Sequence, residues 1–157
     1  MAKAQIKKSP PVLENKKARF QYEIMETVEA GIVLTGTEVK SLREGGGNLA
    51  DSYALPRGGE LFLVNLRIQP YQNAGAFNHA EDRTRKLLLK RTEIARFESR
   101  IKEKRLTMIP LKLYFNEKGL VKVLLGLGRG KKIADRRESE KKREADREMA
   151  RALRNHG

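Results

Sequence analysis

The sequence predicts a mainly β fold, an antiparallel barrel with about two short helices, followed by a basic C-terminal tail. Three observations carry that reading. Roughly seven short runs alternate apolar and polar residues or fill with apolar ones. Hairpin-type turn signals join them, where a βαβ array would need long crossovers. The formal charge of +14 over 157 residues is concentrated at the two ends: residues 1–19 carry +5, residues 129–157 carry +5, and the stretch between carries +4. With 39% hydrophobic and 34% charged residues, a core is expected over part of the chain only. The expected division is a flexible basic arm at 1–14, a barrel at 15–128 and a basic tail at 129–157.

The elements follow in order. Ser9-Pro10-Pro11 and the lysines around them offer little to bury, so order is expected from about Asn15. Phe20, Tyr22 and Ile24 alternate with Gln21, Glu23 and Met25 in a half-buried strand. Glu29-Ala30-Gly31 breaks it, and Ile32-Val33-Leu34 resumes it. Thr37 is placed to cap a short helix that ends at Gly45-Gly46-Gly47. Asp51–Pro56 and Glu60–Ile68 read as strands around an Arg57-Gly58-Gly59 turn, the second apolar on both faces. Residues 69–83 lack periodicity and form a long loop, more often functional than idle. Arg85–Arg91 is a strand, and Thr92 caps a helix to about Lys104 with Ile94, Phe97 and Ile101 as its stripe. Leu106–Phe115 and Leu120–Leu127 are strands, with Pro110 marking an edge or a bulge. In the tail, pairs such as Glu138/Lys142 favour helix, Arg143/Arg147 oppose it, and no apolar face is wide enough to dock. Disorder in free solution and helix on a polyanionic partner are expected there.

Several chemistries are excluded. The chain has no cysteine, hence no disulfide, thiolate metal site or cysteine nucleophile. Its two histidines, His79 and His156, are too few for a His-rich metal site, and no base stands beside a nucleophile. Gly126 to Lys132 lacks the Ser/Thr and the spacing of a phosphate loop. No cofactor is expected, and no enzymatic activity. No apolar run is long enough to cross a bilayer, and the basic N-terminus lacks the apolar core of a signal peptide. A cytoplasmic, polyanion-seeking protein without a membrane partner, acting as a monomer, is the expectation. Residues 83–105 hold ten Lys/Arg against three acids. If Arg83, Arg85, Lys86, Lys90 and Arg91 share one face, they track a phosphate backbone; otherwise they form a solvated rim. Tyr53, Tyr71 and Phe77 are candidates for base stacking, although only nine aromatics serve the whole chain.

Four blocks, in this order, carry a specific resemblance: Glu29-Ala30-Gly31 with Gly36-Thr37-Glu38-Val39-Lys40-Ser41-Leu42-Arg43; Arg83-Thr84-Arg85-Lys86-Leu87-Leu88-Leu89; Pro110-Leu111-Lys112-Leu113-Tyr114; and Gly130-Lys131-Lys132 with Asp135-Arg136-Arg137. The chain resembles the small protein B family, the SsrA-binding (tmRNA-binding) proteins of bacterial trans-translation, from about Asn15 to Arg137. The resemblance implies a non-enzymatic RNA chaperone with an OB-like barrel. Such a protein grips the tRNA-like domain of tmRNA and accompanies it to a stalled ribosome. There its tail lies near the small-subunit decoding region and enters the empty mRNA channel as a helix. By matching motif, the tmRNA face would comprise Asn15, Arg19, Glu29, Glu38, Lys40, Arg43, Arg85, Lys86, Leu88 and Lys90. The ribosome-binding tail would comprise Lys131, Lys132, Asp135, Arg136 and Arg137. Ala134 stands where the family often has His, Arg136 where it usually has Lys, and the Gly46-Gly47 run where it often has Lys. A structural ribosomal protein and a general single-strand RNA-binding OB module are the competing readings.

Overall fold

The structure, a computed structural model, describes residues 12–131, the backbone of 133–156 and the side chains of 141–152. Residues 1–11 of the arm expected at 1–14, together with Lys132, lie outside the described residues. In chain order the elements are β1 (Leu13–Glu14), α1 (Ala18–Gln21), β2 (Tyr22–Ile32), α2 (Gly36–Arg43), β3 (Gly47–Asn48), β4 (Tyr53–Arg57) and β5 (Glu60–Val64). They continue through β6 (Arg67–Ile68), a 3-10 segment at Gln72–Phe77, β7 (Arg85–Leu88), α3 (Arg91–Lys104), β8 (Thr107–Phe115), β9 (Val121–Gly130) and α4 (Ile133–His156).

The main sheet is antiparallel and runs β1-β8-β4-β5-β7-β2-β9, with a further β8–β9 pairing. Because β8 bonds to both β4 and β9, the ring of strands closes on itself. Inside lies a core of Leu61, Leu63, Leu66, Leu87, Phe97, Leu113, Val123 and Leu125, all at most 1% exposed. A smaller cluster of Ala18, Ile109 and Leu111, with Tyr22, Ile24 and Leu124 packed on it, seats α1 against the sheet.

Glycine lets two strands approach closely here. A Cβ at Gly128 would stand 2.7 Å from the main-chain oxygen of Glu23, which cannot yield, whereas one at Gly130 meets nothing within 4 Å. Gly128→Ala is therefore expected to cost roughly 1–3 kcal/mol in thermal denaturation, with Gly130→Ala near neutral. Equal melting temperatures would refute the close approach.

Several sequence expectations shift. Leu13–Glu14, assigned to the arm, pair with Leu113 and Lys112 of β8, so order begins earlier than Asn15. Phe20 and Gln21 belong to α1, not to the following strand. β2 runs unbroken through Gly31, because the missing Cβ leaves room for Leu88 from β7. Thr35, not Thr37, caps α2: its hydroxyl accepts from the Glu38 amide at 3.3 Å, and the Glu38 carboxylate accepts from the Thr35 amide at 2.9 Å. That reciprocal pair needs a spacing of three, which Thr37 lacks. Lys90, not Thr92, precedes α3, although the Ile94 and Phe97 stripe is buried as expected. Leu61 and Leu63 are buried while Phe62 and Val64 are only half-buried, so β5 is not apolar-filled on both sides. Arg67–Ile68 leaves the main sheet and pairs with β3.

The turn at Gly58-Gly59 has positive φ at both glycines, as a two-residue hairpin demands. Pro110 sits beside the register shift between β8 and β9, the bulge its missing donor calls for. β9 continues to Gly130, past the expected end of the barrel at 128. Residues 133–156 are helical, where the sequence predicts disorder in free solution. The guanidinium of Arg143 lies 5.8 Å from the Phe20 ring centre, a tertiary contact the tail sequence alone does not reveal.

Candidate nucleic-acid interface

Strand register assembles one outer face of the sheet. Leu88 on β7 opposes Gly31 on β2, Gly31 opposes Lys122 on β9, and Lys122 opposes Tyr114 on β8. Cross-strand partners share a face, so these four form one row. The adjacent row is Glu29, Leu124 and Lys112. The two rows are tied together by the Tyr114 hydroxyl, which donates to the Glu29 carboxylate, and Lys112 lies 5.7 Å from the Tyr114 ring centre. Burial, then the hydrogen bond to Glu29 and its charge, push the Tyr114 phenol well above its ordinary range. Leu88 is 50% exposed, at the surface where the family resemblance needs it, while Leu87 beside it is core. Lys86, two residues earlier on β7, is exposed on the same side and pairs with Glu60 at 2.5 Å. Lys90 is exposed at the start of α3.

Glu38 and Arg85 take a different position: both are fully buried. Glu38 accepts from Arg83 Nη2 at 2.6 Å through Oε1 and from Arg85 Nε at 2.7 Å through Oε2. Arg85 also donates to the carbonyls of Leu66 at 2.6 Å and Arg83 at 2.8 Å, and reaches those of Ala80 and Glu81. Burial alone would raise the Glu38 pKa. Hydrogen bonds from Arg83, the Thr35 amide and Arg85 overcome it and hold the carboxyl at about 2. Burial removes Glu38 and Arg85 from the surface on which the sequence places them. They act instead as an internal clamp that fixes Arg83, itself about a third exposed, and the end of the 69–83 loop.

His79 joins the same latch. Its Nε2 lies 2.9 Å from the Ile68 carbonyl and therefore donates, leaving Nδ1 to accept from the Thr37 hydroxyl at 2.9 Å. This histidine is a bracket between loop and α2, where the sequence suggests a solvated or RNA-contacting side chain.

On the exposed side of α2, Lys40 lies 5.7 Å from the Tyr71 ring centre and Arg43 lies 5.1 Å from that of Phe115. Asn15 donates from Nδ2 to the Pro110 carbonyl at 3.0 Å, holding the bulge. Asn15, Arg19 and Lys131 line a groove of about 700 Å³ between α1, β8 and α4, with Lys16, Lys112 and Arg143 adding charge. Lys131 Nζ donates to the Arg19 carbonyl at 3.1 Å. Asp135, Arg136 and Arg137 fall in the first turns of α4. The predicted residues thus divide among the outer face (Glu29, Lys86, Leu88), the start of α3 (Lys90), the α2 face (Lys40, Arg43), the α1 groove (Asn15, Arg19, Lys131), the first turns of α4 (Asp135, Arg136, Arg137) and the buried clamp (Glu38, Arg85). Tyr114 and Lys122 join the outer face and are absent from the sequence-derived candidates, whereas Arg83 is among the cations the sequence offers for a phosphate backbone. Strand alternation was the available signal for the first two. Among the described residues, no group of three or more His, Asp or Glu side chains is placed to hold a metal ion, and no described helix is long and apolar enough to cross a membrane.

A small closed-sheet protein with cations arrayed over its outer face and a long basic helix at its end is the class this geometry defines. The chain belongs to the SmpB family, whose model, described as SmpB protein, matches residues 12–155. It is 50% identical over 157 residues to the SsrA-binding protein of Mesorhizobium japonicum, covering 98% of this chain and 99% of that one. It is 55% identical over 146 residues to the SsrA-binding protein of Rhizobium johnstonii, covering 93% and 97%. Among solved structures it is similar to a chain from "tmRNA-SmpB: a journey to the center of the bacterial ribosome", with 51% identity and a TM-score of 0.68. That alignment covers 83% of this chain and 94% of the other.

Proposed function

We propose that this protein binds the tRNA-like domain of SsrA RNA (tmRNA) and delivers it to stalled ribosomes for trans-translation, in the bacterial cytoplasm and without catalysing a reaction. The observation that carries the reading is the match at about half identity, along nearly the whole chain, to relatives that bear the name SsrA-binding protein. The closed sheet is read as an OB-like barrel presenting a shaped RNA face. Asn15, Arg19, Glu29, Lys40, Arg43, Lys86, Leu88 and Lys90 touch the RNA, and Glu38 and Arg85 serve as positioning residues behind them. The exposed lysines and arginines meet phosphates. Glu29, already accepting from Tyr114, has lone pairs left for a base amino group or a ribose hydroxyl. Lys131, Lys132, Asp135, Arg136 and Arg137 begin the segment that contacts the ribosome near the decoding region, with α4 entering the empty mRNA channel.

Competition binding tests the reading. The protein should prefer the tRNA-like domain to ribosomal RNA fragments and to a poly-pyrimidine strand. Equal affinity for the last would return it to the general single-strand binders. Lys86→Ala and Lys90→Ala should each weaken binding and flatten the dependence of log affinity on log salt by about one unit. An unchanged slope would put that lysine off the RNA.

A further inference from the structure

The 69–83 segment is no slack loop. Asn78 closes it into a lobe: its Oδ1 accepts from the Tyr71 amide at 2.9 Å and its Nδ2 donates to the Tyr71 carbonyl at 2.7 Å. Inside the lobe Gly75 turns the chain at a φ of +59°. Outside it, His79 and the Glu38 clamp anchor the following residues to α2 and to the sheet edge. On this fixed support Phe77 stands 89% exposed, the most exposed of the large apolar side chains described. Its neighbours within the lobe, Asn73, Ala74, Gly75 and Ala76, are small or polar. Among the described residues, no other exposed large apolar side chain belongs to the lobe.

That isolation decides the kind of partner. A protein pocket is met by several adjoining apolar side chains, whereas a nucleobase needs only one flat ring with a cation nearby. A cation stands at the foot of the same lobe, where Lys40 lies over the Tyr71 ring. We propose that Phe77 is a base-stacking residue, with the lobe holding its ring ready for an unpaired RNA base. This rests on the RNA-binding function proposed above and adds a contact point outside the expected tmRNA face. The base belongs either to the tRNA-like domain or to ribosomal RNA, and one experiment separates the two.

The chain contains no tryptophan, so full-length Phe77→Trp carries a single fluorescent reporter at the proposed stack. Its emission is followed on adding the tRNA-like domain alone, then ribosomes. Quenching in the first arm assigns the base to tmRNA, and quenching only in the second assigns it to ribosomal RNA. In the arm that quenches, Phe77→Leu should bind about tenfold more weakly with an unchanged salt slope, because a stack neutralises no phosphate. Emission that stays constant or moves to shorter wavelength in both arms, while wild-type protein binds, would overturn the proposal. The blue shift would point to a protein pocket. Wild-type protein that binds neither partner, with no quenching, would sink the functional reading along with it. Because the ring is 89% exposed, unchanged thermal unfolding of both variants checks that the fold is intact.

Discussion

Glu38→Ala is expected to lower the free energy of unfolding by about 3–5 kcal/mol, because it strands buried Arg85 without its counter-charge. Stabilities of whole domains run to only about 5–15 kcal/mol, so the loss should be plain as a fall in urea midpoint at constant slope. The same substitution removes half of the capping box of α2 and frees Arg83. Glu38→Gln keeps the shape and separates charge from volume. In the native protein this carboxyl is held at about 2 against an ordinary 4.5. A folded pKa below the unfolded one means stabilisation that is complete above about pH 4.5 and drains away as pH falls toward 2. Glu38→Gln should therefore be less stable at neutral pH and lose part of its acid sensitivity in that window. Parallel stability curves for the two proteins across pH 2–5 would show that the carboxylate charge contributes nothing.

Removing residues 132–157 is expected to abolish ribosome rescue while leaving affinity for the tRNA-like domain largely intact. The cut is placed after Lys131 because β9 runs to Gly130, where it pairs with Tyr22, and Lys131 donates its amide to Gln21. Cutting at 129 would unpick the sheet and confuse a folding defect with a functional one. The truncated chain loses the Arg143–Phe20 contact and one wall of the α1 groove. A modest loss of affinity through Arg19 is compatible with the division of labour. A loss as large as that of rescue would refute it. Filter binding of the RNA and a reconstituted rescue reaction, measured on one preparation, supply the comparison.

The strands were legible because apolar spacing is a local property: β8 and β9 follow from it, while β5 was read as apolar on both faces and alternates instead. What the sequence concealed depends on partners far along the chain. Glu38 reads as an acid at a helix start, and its burial depends on arginines 45 and 47 residues away. Gly31 reads as a strand breaker until Leu88 is seen to fill the space beside it. The Leu87-Leu88-Leu89 triplet gave no hint of which member points outward; pairing with β2 and β5 decides it. Thr35 was legible from its spacing to Glu38, whereas Thr37 lies inside α2 and its hydroxyl is occupied by His79. Of the candidate site, the family motifs named the residues, and only the fold could sort them into surface contacts and internal supports.

The closing strand is also the last one synthesised. β9 lies along almost the whole of β2, made about a hundred residues earlier, and also along β8. A nascent chain that ends before Val121 carries the other strands of the ring but leaves one long side of β2 bare. Such unpaired main-chain edges invite pairing with other chains. For this protein an unfinished product is thus sticky by construction, and the shift to a self-contained body waits on the final strand emerging from the ribosome that makes it.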